Sequence, residues 1–120
     1  MTRILAVDDS NSIREMVVFI LKDAGFDVDE AQDGQQALQS AQKTQYDLIL
    51  SDVNMPNMGG IELVQQLRQL SSYRFTPILM ITTESTKEKK LEGKKAGATG
   101  WIVKPFQPEH LVATVKRVID

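Results

Sequence analysis

Residues 48–60 read LILSDVNMPNMGG. Leu48–Leu50 is an apolar run of the length expected for a buried strand, and it leads through Ser51 to a carboxylate, Asp52. Turn-forming residues follow, Asn54, Pro56 and Asn57, and then the pair Gly59-Gly60. Ile61, Val64 and Leu67 recur at helical spacing after the glycines. A strand that carries an acid to its tip, turns sharply and enters a helix is one β-α unit.

The flanking sequence repeats that unit. Ile4–Val7 reads as a buried strand, and Ile13, Met16, Val17, Ile20, Leu21 and Ala24 predict one apolar helical face that Gly25 terminates. Phe26–Ala31 alternates apolar and acidic residues, as a half-exposed edge strand does. Asp33 and Gln36 form a capping-box pattern for a helix ending near Thr44. Pro77 precedes a third buried strand, Ile78–Ile81, and residues 86–96 predict a lysine-rich helix with few apolar positions. Trp101–Val103 is the last strand. Pro108 suits the first turn of a final helix bearing Leu111, Val112, Val115, Val118 and Ile119. Five such units predict an α/β fold, a five-stranded parallel sheet with helices on both faces.

In sheets of this kind ligands bind beyond the carboxyl ends of the strands. Asp8 and Asp9 follow strand one, Asp52 ends strand three, Thr82 and Thr83 end strand four, and Lys104 ends strand five. Strand two ends blandly. Three carboxylates, a hydroxyl and an amine therefore share one edge. Clustered carboxylates repel unless one is protonated or a hard cation binds them through oxygen. Mg²⁺ suits a few carboxylates plus a phosphate, and it lets a carboxylate attack phosphorus by neutralising charge on both partners.

The totals are consistent with a small globular protein. There are 120 residues, 42% apolar and 25% charged, with net charge −2 and no cysteine. The size suits one domain over residues 1–120. The absence of cysteine excludes a disulfide framework, thiol catalysis and a zinc-thiolate site, and it fits a reducing cytoplasmic location. The charge gives no positive field to attract nucleic acid. The N-terminal run Ile4–Val7 meets acids at once, which is neither a signal peptide nor a membrane span.

In order and spacing, "VDDS" (7–10), "LILSDVNMPNMGG" (48–60), "MITTES" (80–85) and "GWIVKPF" (100–106) resemble the receiver domain of two-component response regulators. The resemblance spans the chain and is closest to single-domain chemotaxis regulators of the CheY type. It implies a flavodoxin-like (βα)5 fold with strand order 2-1-3-4-5. Asp52 matches the phosphoacceptor. Asp9, Asp52 and the backbone carbonyl of Asn54 match the Mg²⁺ ligands, with Asp8 acting through water. Thr82 and Lys104 match the groups that meet the phosphoryl oxygens. Lys104-Pro105 matches a cis peptide, and Thr82 with Trp101 matches the switch pair. The implied protein is a signalling switch rather than an enzyme, though it promotes its own phosphorylation and slow dephosphorylation. The implied partners are a histidine kinase of the CheA type, an output protein such as the flagellar switch, and a phosphatase. Output would run through the fourth helix, fifth strand and last helix of a monomer. Since the chain ends at its last helix, no output domain is expected.

Three positions depart from the family pattern. Thr83 replaces a small residue, Gly59 replaces an acid that would cap the third helix, and Trp101 replaces a Tyr or Phe. Other functions fit less well. A phosphohydrolase with an aspartyl-phosphate intermediate wants an acid two residues after the nucleophile, where this chain has Asn54. A nucleotide- or flavin-binding module would want a Walker loop or G-x-G-x-x-G, and neither occurs. A phosphorelay intermediate, or a regulator outside chemotaxis, remains an alternative to the chemotaxis role. The cluster Lys87, Lys89, Lys90, Lys94 and Lys95 is either a solvated face or a docking surface for an acidic partner, and His110 reads as a surface or helix-start residue rather than a ligand.

Overall fold

The computed structural model describes residues 2–83 and 87–119. Strands and helices alternate: β1 (Arg3–Val7), α1 (Asn11–Asp23), β2 (Asp27–Ala31), α2 (Gly34–Lys43), β3 (Leu48–Asp52), α3 (Gly60–Arg68), β4 (Ile78–Thr82), α4 (Lys87–Ala96), β5 (Gly100–Val103) and α5 (Pro108–Ile119). A 3-10 turn, Ser71–Tyr73, precedes β4. Residue 86, the predicted start of the lysine-rich helix, lies outside the described residues.

All pairings are parallel, in the order β2-β1-β3-β4-β5. Alternate residues of each strand serve opposite faces. Leu5, Val7, Ile49, Ile78 and Met80 pack beneath α2 and α3, with Ala37, Ala41, Leu63, Val64 and Leu67. Ile4, Ala6, Leu48, Leu50, Leu79, Ile81 and Ile102 pack beneath α1 and α5, with Val17, Val18, Leu21, Leu111 and Val115. Since both faces are covered, every residue of β3 and of β4 is buried, which is why these strands read as unbroken apolar runs.

The register keeps the strand ends nearly level. Val7 lies opposite Ser51, Asp52 opposite Ile81, and Thr82 opposite Val103. The polar residues that follow these strands therefore emerge on one edge.

The face of α1 differs from the sequence expectation. The buried residues are Arg14, Val17, Val18 and Leu21, while Met16 is 43% exposed and Ala24 is the C-cap. Ile13, Val17, Ile20 and Leu21 do pack against the core, and the buried face is displaced toward Arg14, whose guanidinium finds hydrogen-bond acceptors inside the fold. Gly25 does follow the helix, at φ 97°. For α2, Asp33 accepts the Gln36 N–H at 2.9 Å as predicted, but Gln36 reaches back to the N–H of Gln32 (3.0 Å), one residue upstream of the cap. Gly59 caps α3 without a side-chain hydrogen bond.

Candidate functional site

β1 ends at Val7, and Asp8 and Asp9 follow it on the loop into α1. Asp8 is 5% exposed, and each part of it is engaged. Its N–H donates to the Ala31 carbonyl at 3.2 Å, Oδ1 accepts from the Ser10 N–H at 2.9 Å, and Oδ2 accepts from Lys104 Nζ at 2.9 Å. The end of β2 places no side chain in the cluster, and its Ala31 carbonyl supports the acidic loop through the backbone alone.

Asp52 closes β3. Its Oδ1 accepts the N–H of Val53 at 2.9 Å and lies 3.5 Å from Lys104 Nζ. Burial pushes its pKa up, Lys104 opposes that, and Asp8 adds to it. Oxygen atoms of Asp8, Asp9 and Asp52 lie within 4.8 Å of one another, and Asp9 is the exposed member. That spacing and all-oxygen donor set suit a hard divalent cation. Asn54, next on the loop, is exposed.

The loop after Asp52 is fixed from the side. Asn57 adopts φ 68° and donates from Nδ2 to Asp33 at 2.9 Å, while the Gly34 N–H donates to the Met58 carbonyl at 3.1 Å. Neither tie was predicted. The turn composition of 54–60 foretold a bend, but a partner more than twenty residues away leaves no local signal.

Thr82 is fully buried at the end of β4, and its carbonyl accepts the Lys104 N–H at 2.8 Å. Thr83 beside it is exposed. The Lys104-Pro105 peptide is cis. Trp101, on β5, is half-buried. Its ring lies over Gly93 of α4, and its indole N–H is buried with no acceptor among the described residues. His110 is exposed on α5. The structure therefore gathers Asp8, Asp9, Asp52 and Lys104 at one edge with Thr82 adjoining, and sets Trp101 further along β5 against α4.

Sequence reasoning missed one charged residue here. Arg14 donates to the Asp8 carbonyl at 2.6 Å from behind the acidic loop. Its spacing with Val17, Val18 and Leu21 was the available signal, a charge in phase with an apolar stripe.

Known proteins are similar to this chain over most of its length. Chemotaxis protein CheY-3 of Vibrio cholerae serotype O1 is 40% identical over 98% of this chain and 88% of its own length. The crystal structure of V. cholerae chemotaxis protein CheY4 shares 59% identity at a TM-score of 0.96, covering 98% of both chains. Response regulator TrrA of Thermotoga maritima, solved in complex with Mg²⁺-BeF, shares 32% identity at a TM-score of 0.88, covering 98% of this chain and 99% of that one. Residues 4–116 match the response regulator receiver domain, and with acids and a lysine converging at the strand ends of a 2-1-3-4-5 sheet, the chain belongs to that family.

Proposed function

We propose that Asp52 accepts a phosphoryl group from a histidine kinase, with Mg²⁺, and that the modified domain binds an output protein in chemotaxis, at the flagellar motor. The convergence of Asp8, Asp9, Asp52 and Lys104 carries this reading. An oxygen of Asp52 forms a bond to the phosphorus of a phosphohistidine. The P–N bond breaks, and its electron pair stays on the imidazole nitrogen. Lys104 would pair with one phosphoryl oxygen, for which its position between Asp8 and Asp52 is suited. The Thr82 hydroxyl would donate to another. Asp9, Asp52 and the backbone carbonyl of Asn54 would hold Mg²⁺. Asp8 would act through water, in keeping with both its oxygens being engaged already. The bound cation supplies charge neutralisation between an anionic nucleophile and an anionic donor.

The domain would work as a single unit over residues 1–120, as a cytoplasmic monomer. Among the described residues no helix is long and apolar enough to cross a membrane. The output face would comprise α4, β5 and α5. A groove of about 210 Å³ lies there, lined by Lys90, Lys94, Ala98, Thr99, Gly100 and Trp101. Its lysines suit an acidic segment of a partner, drawn in by electrostatic steering.

Acetyl phosphate with Mg²⁺ is expected to modify one residue of the wild-type protein, read by intact mass and by peptide mapping after borohydride trapping. Mapping to any residue but Asp52, or equal yield without Mg²⁺, would overturn the reading.

Trp101 gives an optical view of the switch face. A Cβ at Gly93 would stand 2.7 Å from Cζ3 of the Trp101 ring. Because the buried indole N–H is unpaired, this packing carries a cost of about 1–3 kcal/mol, and the ring has a reason to leave when crowded. Gly93→Ala is therefore expected to red-shift Trp101 emission and raise acrylamide quenching in the unmodified protein. Unchanged emission would mean that α4 moves instead of the ring.

A further inference from the structure

Arg14 is a charge in a core position. It is 7% exposed and shares the buried stripe of α1 with Val17, Val18 and Leu21. A buried guanidinium is tolerated only when its donors are met. Here three of its five N–H groups are met, each from a different segment. Nε donates to Glu30 Oε1 on β2 at 3.0 Å, Nη1 to the Asp8 carbonyl at 2.6 Å, and Nη2 to Asn11 Oδ1 in the first turn of α1 at 2.7 Å.

The contact with Asp8 has the functional consequence. The Asp8 carbonyl belongs to the peptide that joins Asp8 to Asp9, so a donor on that oxygen sets the plane of the peptide. The plane in turn sets where the Asp9 side chain leaves the backbone. Asp8 itself is already held at its N–H by Ala31 and at its carboxylate by Ser10 and Lys104. The Asp8 carbonyl contact lies between these anchors and the exposed Asp9. The space behind Asp8 and Arg14 is only about 10 Å³, at the lower limit for one water, so solvent is poorly placed to replace the guanidinium.

We infer that Arg14 is a positioning residue for the cation site: it locks the Asp8-Asp9 peptide so that the acidic oxygens converge before Mg²⁺ arrives. The inference rests on the Mg²⁺-dependent reading of the Asp8, Asp9 and Asp52 cluster. Outer-shell partners of this kind commonly tune metal affinity by one to two orders of magnitude.

Calorimetric titration of MgCl₂ into the folded protein tests it, with no need for a phosphodonor. Arg14→Met keeps an unbranched stem out to the ε position, so that the packing of the stem is retained, and removes every donor. It is expected to weaken Mg²⁺ binding about tenfold. Arg14→Lys is expected to recover part of the loss, because an ammonium can donate to the Asp8 carbonyl but cannot span Asn11 and Glu30 as the planar fork does. A role confined to folding would lower the melting temperature and leave the Mg²⁺ affinity of the folded protein unchanged. If Arg14→Met does not fold, the double variant Asn11→Ala/Glu30→Ala decides. It keeps Arg14 but frees two of its anchors, and weaker Mg²⁺ binding is again expected. Wild-type affinity in the folded variants overturns the role of Arg14 alone. Absence of Mg²⁺ binding by the wild-type protein overturns the site reading and this inference with it.

Discussion

Asp52→Asn is expected to abolish Mg²⁺-dependent phosphoryl acceptance and, in the same protein, to raise the stability of the metal-free state. The first effect follows from chemistry, since an amide oxygen is a poor nucleophile and cannot form the acylphosphate. The second follows from electrostatics. Burial raises the Asp52 pKa above its ordinary 3.8, Lys104 counteracts this, and the nearby Asp8 carboxylate reinforces it. The folded protein thus holds the Asp52 proton more tightly than the unfolded chain does. Below pH 3.8 the ionisation penalty is absent, and it grows as the pH rises through the elevated folded-state pKa. Above that point the wild-type protein bears a cost that Asp52→Asn removes. The melting temperatures of the two should therefore diverge as pH rises through this window without metal. Mg²⁺ should stabilise the wild-type protein in a concentration-dependent way and the variant much less, because ligand binding adds stability as RT ln(1 + [L]/Kd). Intact mass and scanning calorimetry read both effects. A trapped phosphate at normal yield on Asp52→Asn would sink the assignment, and a melting curve insensitive to Mg²⁺ in the wild type would count against the cation site.

Gly60→Ala is expected to cost on the order of 3 kcal/mol, a fall in melting temperature of about 10 °C for a domain this size. Gly60 is buried at the first turn of α3, and its N–H donates to the Val53 carbonyl at 2.9 Å. A Cβ there would fall on the Asp52 carbonyl oxygen, with Met80 Cε 2.7 Å away and Val53 Cα 3.0 Å away. The methionine end can rotate aside, but the backbone of β3 cannot, since every residue of that strand is buried. The start of α3 must then lift away from the strand that carries Asp52. Thermal denaturation checks the size of the effect. A variant melting within a degree of wild type would show that α3 can shift freely, and that the turn after Asp52 is looser than its contacts imply.

The sequence by itself determined the strands, their direction and the chemistry collected at their ends. Ile4–Val7, Leu48–Leu50 and Ile78–Ile81 are unbroken apolar runs because parallel strands covered on both faces have no wet side. Once the strands run parallel, Asp8, Asp9, Asp52, Thr82 and Lys104 must emerge on one edge, whatever the packing details. On α1, Ile13, Val17, Ile20 and Leu21 pack inward as expected, and the tertiary structure alone decided that Arg14 and Val18, rather than Met16, complete that face. Apolar periodicity ranks Met16 above Arg14 for burial, because it scores each side chain against solvent and not against particular neighbours. Arg14 is buried since its acceptors arrive from the Asp8 carbonyl, Asn11 and Glu30, the last of them sixteen residues away on another element. The seat of Trp101 over Gly93 and the tie from Gly34 to Met58 are of the same kind. A missing Cβ matters only when a distant group fills its place, and a buried guanidinium is stable only where distant acceptors meet it. Both conditions are set by the assembled fold.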